Sequence, residues 1–513
     1  MFFKNIYKPY FKIVFYMQNT KSEAKYTQEG QALAYSNLTC QQLIELFESC
    51  LGPNGSFKAL VSGADQMDLT KNGFKLCRDI RYTHPTSIII TRAGKALFER
   101  VGDGIISFVL LTSHIFSESF SQYLDGSKIS PIINSLQLAV DDVSKFLKEN
   151  LLPFNDSNLR KLVLSQIGSK IQNGEVLVDI ILQTLKHTND LKLVELMKMD
   201  IGDLKDSEFV PGLVLDHGIR HAEMPTNLTN CVILTTNMSL EYEKPEINAE
   251  FVYKNIEDRE RLAKFENKLI IEKTEKIVEL ANEMRKQGKH LVVISEKGID
   301  LQSLEILAKG KVLALRRCKK RNLERLVNIC GGRVVTQVHQ LKKENLGFCN
   351  SVNVKKVGED QFTFVEGVPL KGASTILIKG NVDFSRIQQT IQGTLRSVML
   401  AINEKCVIRG GKQLYCDLIK LMKQKAKEVN HVDSLGYGII AKVFEKMCKT
   451  LIKNEGKPAQ ETFAYLMQKG DSEIVIDNAS VLGNVLTNSI FTSASLLMCD
   501  EMILAGKKMS EEN

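Results

Sequence analysis

The sequence predicts a multidomain protein built of α and α/β parts, and three observations predict it. At 513 residues the chain is too long for one hydrophobic core, so several domains are expected. Apolar residues recur at helical spacing toward both ends. From about Val210 to Gly380 the texture changes to short apolar runs with β-branched residues, separated by helical stretches, which signals a sheet. A helical start, an α/β middle and a helical finish imply that the two ends share a domain into which the middle is inserted.

In chain order, Met1 to Tyr16 mixes aromatic and apolar residues with Lys4, Lys8 and Lys12, which interrupt every apolar run. No small-residue cleavage site follows and Met17 offers a second start, so these residues read as an extension without structural role rather than a targeting signal. Ala32 to Ser49 is a helix that breaks at Gly52-Pro53 into a tight loop. Ser87-Ile88-Ile89-Ile90 alone fits a strand, whereas its continuation through Ala93, Ala96 and Leu97 fits a helix, and the pattern leaves both open. A helix after Gly104 would bring its N-terminus to any phosphate bound there. Ile132 to Glu149 and Asn158 to Ile171 are helical. In the middle, Val232-Ile233-Leu234-Thr235, Leu291-Val292-Val293-Ile294 and Val312-Leu313-Ala314-Leu315 read as strands. Between the first two lies a long amphipathic helix, about Glu257 to Lys286, with Leu262, Phe265, Leu269, Ile277, Leu280 and Met284 on one face.

Composition excludes several classes of function. Hydrophobic residues make up 43% and charged residues 25%, and no apolar run reaches the roughly 18 residues that span a bilayer, so no membrane role is expected. A net charge of +8 spread over this length argues against a dedicated nucleic-acid binder. The 11 cysteines form no C-x-x-C pair and read as buried thiols of a reducing compartment. His217 and His221 stand four apart without an HExxH frame, and no nucleophile-histidine-acid set emerges.

The chemistry lies in three glycine-bearing stretches: Leu51-Gly52-Pro53-Asn54-Gly55, Thr70-Lys71-Asn72-Gly73 and Gly102-Asp103-Gly104-Ile105-Ile106-Ser107. Glycines let a backbone approach a polyanion and aim N–H groups at phosphate oxygens, and a carboxylate between two glycines can reach a magnesium ion. The same stretches lack a second acid, and Ile105 and Ile106 offer no hydroxyl.

Those motifs, in that order, resemble the group II chaperonins, whose patterns are LGPxGxxK, TxDG and GDGTT. The likeness continues through Gly212 to His221, Ser239 to Lys244 and Ala314 to Leu326. It implies a chaperonin fold: a helical equatorial domain (residues 17–145 and 406–513), a hinge-like intermediate domain (146–212 and 373–405) and an α/β apical domain with a helical protrusion (213–372), preceded by the extension 1–16. It further implies ATP or ADP with Mg²⁺ as cofactors, an eight-membered ring of paralogous chaperonin subunits paired as a double ring, unfolded client proteins as partners, and a cytoplasmic location.

By the same resemblance Leu51, Gly52, Pro53, Gly73, Gly102, Asp103, Gly104, Ser107, Gly410, Gly411 and Asp477 would bind nucleotide, Lys58 closes the first loop and Asp103 is the metal ligand. Lys170 matches a nucleotide-sensing lysine, or is a lysine at a helix end in water. Asn72 stands for the aspartate of TxDG, and Gly393 for the aspartate that orients the attacking water. Neither residue can act as a base, and losing that group alone slows such chemistry by roughly 10²-fold to 10⁴-fold. The expectation is a site that binds nucleotide and hydrolyses it weakly or not at all. Finally, Arg316 to Arg325 carries six cations against Glu324 alone, and Arg317, Lys320, Arg321 and Arg325 are expected to meet acidic or polar client segments. The same cluster also reads as a partly buried helix whose cationic heads snorkel to water.

Overall fold

The computed structural model describes residues 25–27, 31–61, 67–171, 174–188, 190–242, 256–370, 372–380, 383–471 and 473–504. The extension Met1 to Tyr16 and the side chain of Leu262 lie outside the described residues. The chain divides into two units, Met1–Asn173 with Gln389–Asn513, and Gly174–Gln388.

The first stretch is helical, as its apolar spacing requires. After β1 (Lys25–Thr27) come α1 (Gln31–Glu48), the hairpin β2 (Lys58–Val61) and β3 (Met67–Thr70), α2 (Gly73–Asp79), α3 (Pro85–Val101), α4 (Ile105–Leu124), α5 (Ile129–Glu149), the short β4 (Leu151–Leu152) and α6 (Asp156–Gly168). The stretch left open between strand and helix is helical. Pro85 sits in the first turn of α3 and the His84 side chain accepts a hydrogen bond from Thr86 N–H, a start signal that outweighs the β-branched run behind it. Gly102 ends α3 in the left-handed region (φ +82°) and Gly104 begins α4 at φ +86°, so the two helices bracket Asp103.

The chain then enters the second unit through α7 (Glu175–His187), β5 (Val194–Met199), β6 (Glu208–Val210), β7 (Gly212–Leu215), β8 (Asn227–Thr236), α8 (Ile256–Lys286), β9 (His290–Ser295), α9 (Leu301–Lys309), β10 (Leu313–Leu315), α10 (Lys320–Cys330), β11 (Gly347–Val357), β12 (Asp360–Glu366) and β13 (Ser374–Lys379). Six strands order as β10-β9-β8-β11-β12-β7, and the three runs foreseen from sequence form the parallel part, β8 with β9 and β9 with β10. Alternation along the strands sorts two faces. Cys231, Ile233, Val292 and Ile294 pack with Leu323, Leu326 and Ile329 of α10, while Val232, Leu234, Leu291 and Val293 pack with Ile277, Leu280 and Met284 of α8 and with Leu304 and Leu307 of α9. Only the C-terminal half of α8 keeps its apolar face covered: Phe265 is 57% exposed and Leu269 41%, contrary to one continuous buried stripe.

After α11 (Phe384–Glu404) the remaining elements are β14 (Val407–Arg409), α12 (Gly411–Glu428), α13 (His431–Asn454), α14 (Ala459–Lys469), β15 (Ile476–Asn478), α15 (Ala479–Leu497) and β16 (Met502–Leu504). They join α1 to α5 in one core around Phe47, Leu76, Ile90, Phe108, Phe116 and Phe444. β14 pairs with both β15 and β4, and β16 with β1, so strands from the two ends of the chain lie side by side. No described helix is long and apolar enough to cross a membrane. The cysteines are free thiols, buried except for the half-buried Cys499.

Candidate nucleotide-binding site

Within the first unit the loops after α1, β3 and α3 converge with those around β15 on a cavity of about 520 Å³, a volume suited to a small ligand. Of the residues foreseen from sequence, Leu51, Gly52, Pro53, Asn72, Gly73, Asp103, Gly104, Ser107, Lys170, Gly411 and Asp477 line it. Gly102, Gly393 and Gly410 are not among the lining residues. Lys58 belongs elsewhere: it opens strand β2 opposite Thr70, and the lysine that closes the first loop is Lys71, whose Nζ donates to Pro53 O at 2.9 Å. That residue was overlooked, although it sits inside the second glycine stretch.

Three helices start at this cavity. α2 begins at Gly73, α4 at Ile105 and α12 at Gly411, and neither Gly104 nor Gly410 supplies a side-chain cap to its helix. No cap side chain accepts from the first turn of α4, on α12 the Gly411 N–H is answered by Asp477, and the helix dipoles add positive potential that favours phosphate. The approach is tight. A Cβ on Gly73 would lie 2.9 Å from Ile106 Cγ1, and one on Gly104 2.6 Å from Val485 Cγ2.

The charged groups are arranged as follows. Asp103 Oδ1 accepts from Gly104 N–H at 2.8 Å and from Lys170 Nζ at 2.9 Å. Lys170 is thus a partner of Asp103, 17% exposed, rather than a lysine in free solvent. Asp477 Oδ2 accepts from Gly411 N–H at 3.2 Å, and burial pushes its carboxyl up to about 6, with the charge of Asp103 adding to the shift. Lys412 also lines the cavity but its Nζ is committed to Glu455 at 2.5 Å, with Asp471 and Glu473 at 3.6 and 3.7 Å. Burial disfavours its charge, and these acids outweigh that and hold it above the ordinary lysine range. Ser107 faces Tyr415, another lining residue.

Asn72 and Gly393, which the resemblance set at acid positions, have structural roles here. Asn72 caps α2: its Oδ1 accepts from Phe74 N–H at 3.0 Å. Gly393 lies where α11 presses on the Gly102 turn, and a Cβ there would meet Gly102 O at 2.5 Å and the Phe98 ring at 3.0 Å. Phe98, stacked on Phe74 at 4.6 Å, fills the space an acid would need. Ile105 is buried in the core and Ile106 packs against it. Gln166 Nε2 donates to Ser397 Oγ at 2.6 Å and Asn478 Nδ2 to Ser397 O at 2.7 Å, tying α6 and β15 to α11 beside the cavity.

The site therefore has donors suited to phosphate groups, in the first turns of α4 and α12 and at Lys170. It does not fit Mg²⁺ in the same way. That ion wants an octahedron of oxygens, and here one oxygen of Asp103 already accepts two donors while the next side chains along α4 are isoleucines. Among the described residues no group of three His, Cys, Asp or Glu side chains is placed to hold a metal.

The basic segment of the second unit needs a correction. Arg325 is not on an exposed face: it is 8% exposed, its Nη1 is paired with Glu195 and its Nη2 donates to Lys192 O at 2.9 Å. Burial among these partners makes it a clamp on β5, out of reach of a client. Arg321 shares Glu195 at 2.6 Å, Lys319 reaches Asp216 at 3.0 Å, and Arg317 lies 3.5 Å from Glu241. Arg317, Lys320 and Arg321 remain exposed. Sequence reasoning noted His217 without foreseeing its partners: its Nδ1 lies 3.0 Å from Asp216 Oδ1 and its Nε2 lies 3.1 Å from Arg317 O. Hydrogen bonding to Asp216, with Cys318 adding, raises its imidazole to about 10, and the pairing holds Asp216 well below the usual carboxylate range.

Comparison with known proteins adds two findings. The model of the TCP-1/cpn60 chaperonin family matches residues 43–507. The mouse protein T-complex protein 1 subunit zeta-2 is 31% identical over 517 residues, an alignment covering 94% of this chain and 97% of the mouse chain.

Proposed function

This chain belongs to the TCP-1/cpn60 chaperonin family, and from that premise we propose that it is a subunit of a hetero-oligomeric, double-ring cytoplasmic chaperonin that binds ATP or ADP and turns it over weakly or not at all. The observation that carries this reading is the cavity itself: glycine loops and the N-termini of α4 and α12 suited to phosphate, with Asn72 spent as a helix cap and Gly393 packed where an acid would have to stand. Binding groups persist while the groups that would activate water are gone.

In this reading residues 17–145 and 406–513 form the equatorial domain, 146–212 and 373–405 the hinge, and 213–372 the apical domain. Backbone N–H groups at Gly52 and Gly73 and in the first turns of α4 and α12 hold phosphates, Asp477 takes the sugar hydroxyls, and Lys170 reports occupancy. Exposed Arg317, Lys320 and Arg321 give weak, salt-sensitive contact to acidic client segments. Neighbouring paralogous subunits in an eight-membered ring supply the hydrolysis that drives folding.

The test is the nucleotide content and turnover of assembled rings. Acid-released nucleotide, quantified by chromatography, is expected at this subunit when the other sites are disabled, with no phosphate release above background. Turnover comparable to that of intact rings would overturn the reading, and so would a ring that releases no nucleotide.

A further inference from the structure

The pairing of Lys170 with Asp103 has a consequence for the metal. Asp103 is the one carboxylate at the turn between α3 and α4, and its Oδ1 receives both the Gly104 N–H and the Lys170 ammonium. Both side chains are largely withdrawn from water, 17% and 27% exposed, so the pair is screened less than a surface contact. The next side chains along α4 give a dication nothing to replace its water shell with. Ile105 is 4% exposed within the core, Ile106 lines the cavity with hydrocarbon, and the Ser107 hydroxyl faces Tyr415. Asn72 is neutral and holds Phe74 N–H with its amide oxygen, and the nearby carboxylate Asp477 holds the Gly411 N–H. Mg²⁺ gives up its waters reluctantly and only for well-placed oxygens. At Asp103 it would also have to stand beside an ammonium already bound to Oδ1.

Resting on the reading that this cavity binds a nucleotide, we propose that it does so without magnesium, the Lys170 ammonium standing at Asp103 as the cation between carboxylate and phosphate. The ammonium is covalently tethered and needs no bound metal, so nucleotide affinity is uncoupled from the free Mg²⁺ concentration. The site thereby becomes one that is filled and retained rather than cycled. The N-termini of α4 and α12 supply the rest of the positive potential.

The experiment is a titration of the full-length chain with fluorescently labelled ADP, followed by anisotropy, in excess MgCl₂ and in EDTA. The expected result is affinities that agree within about threefold, well under the tenfold that marks 1.4 kcal/mol. A magnesium-dependent tightening of about tenfold or more would overturn the proposal while leaving nucleotide binding intact. Absence of binding in both buffers would overturn the nucleotide reading and this inference with it. Lys170→Met, checked for an unchanged melting temperature, is expected to lose affinity in EDTA and regain part of it with MgCl₂, because Asp103 is then open to the ion. Unchanged affinity of that variant in EDTA would also overturn the proposal. Lys170→Arg is expected to keep metal-independent binding.

Discussion

The phosphate-facing cavity of the first unit and the basic segment of the second unit are both charge-bearing clusters that sequence points to, and they differ in who answers the charges. In the cavity, the available donors are main-chain N–H groups at helix starts, with cap positions Gly104 and Gly410 that bring no side chain of their own. In the basic segment, cation after cation is met by an acid far along the chain: Arg325 and Arg321 by Glu195, Lys319 by Asp216, Arg317 by Glu241. A cluster of like charges in a sequence is therefore a poor guide to free charge, whereas a glycine stretch before a helix is a good guide to backbone geometry. Backbone geometry cannot be mutated away as side chains can, which is why the first region keeps donors suited to phosphate.

The largest effect expected from breaking this contrast is at Arg325. Replacing it by Met leaves Glu195 buried with only the half-exposed Arg321, and removing one member of a buried pair costs about 3 kcal/mol. Urea unfolding of the full-length chain measures it. A loss below about 1 kcal/mol would mean that Arg325 is as dispensable as a surface cation and that the two regions differ less than their geometry implies.

Next in size is Gly393→Asp. The new side chain restores an acid in name, yet its Cβ meets Gly102 O and the Phe98 ring, so overpacking of about 2 kcal/mol is expected and no gain in phosphate release. An appreciable rise in turnover would show that α11 yields and that the cavity is one residue from activity. Asn72 gives the companion result at about 1 kcal/mol: Asn72→Ala removes the cap on Phe74 N–H and destabilises, whereas Asn72→Asp keeps an acceptor and is neutral. Equal losses for both would remove the cap from the argument.

How much was legible beforehand follows the same line. The parallel strands, the helix after Gly104 and the convergence of three glycine stretches were readable because each rests on local periodicity or on a residue type with one conformational use. The helical nature of Pro85–Val101 was not, since β-branched Ile88, Ile89 and Ile90 fit either state and the His84 cap is a weak signal. The partner of Lys170 lies 67 residues away and that of Arg325 lies 130 residues away, and no pattern in one sequence encodes such separations. The idle half of the α8 stripe, Phe265 and Leu269, went unforeseen for a related reason: periodicity tells which residues share a face and is silent on whether anything covers it.

The smallest effects lie at His217 and Arg317, and they sharpen the comparison most. His217 keeps its proton in the folded chain up to about 10 but sheds it near 6.5 when unfolded, so its contribution is complete below about 6.5 and fades as pH climbs through about 10. Asp216, held low, keeps its charge throughout that window and does not blur the trend. Urea unfolding of the wild type and of His217→Gln is expected to show a gap of about 1 kcal/mol near neutral pH that closes toward pH 10, while parallel curves would show that the imidazolium is not bound to its acid. Arg317→Ala, by contrast, removes a side chain 70% exposed and 3.5 Å from Glu241, and is expected to change stability by less than about 0.5 kcal/mol at any pH. A null result there, beside a large one at Arg325, identifies which cations of one basic segment are spent on the fold and which are left facing solvent for a partner.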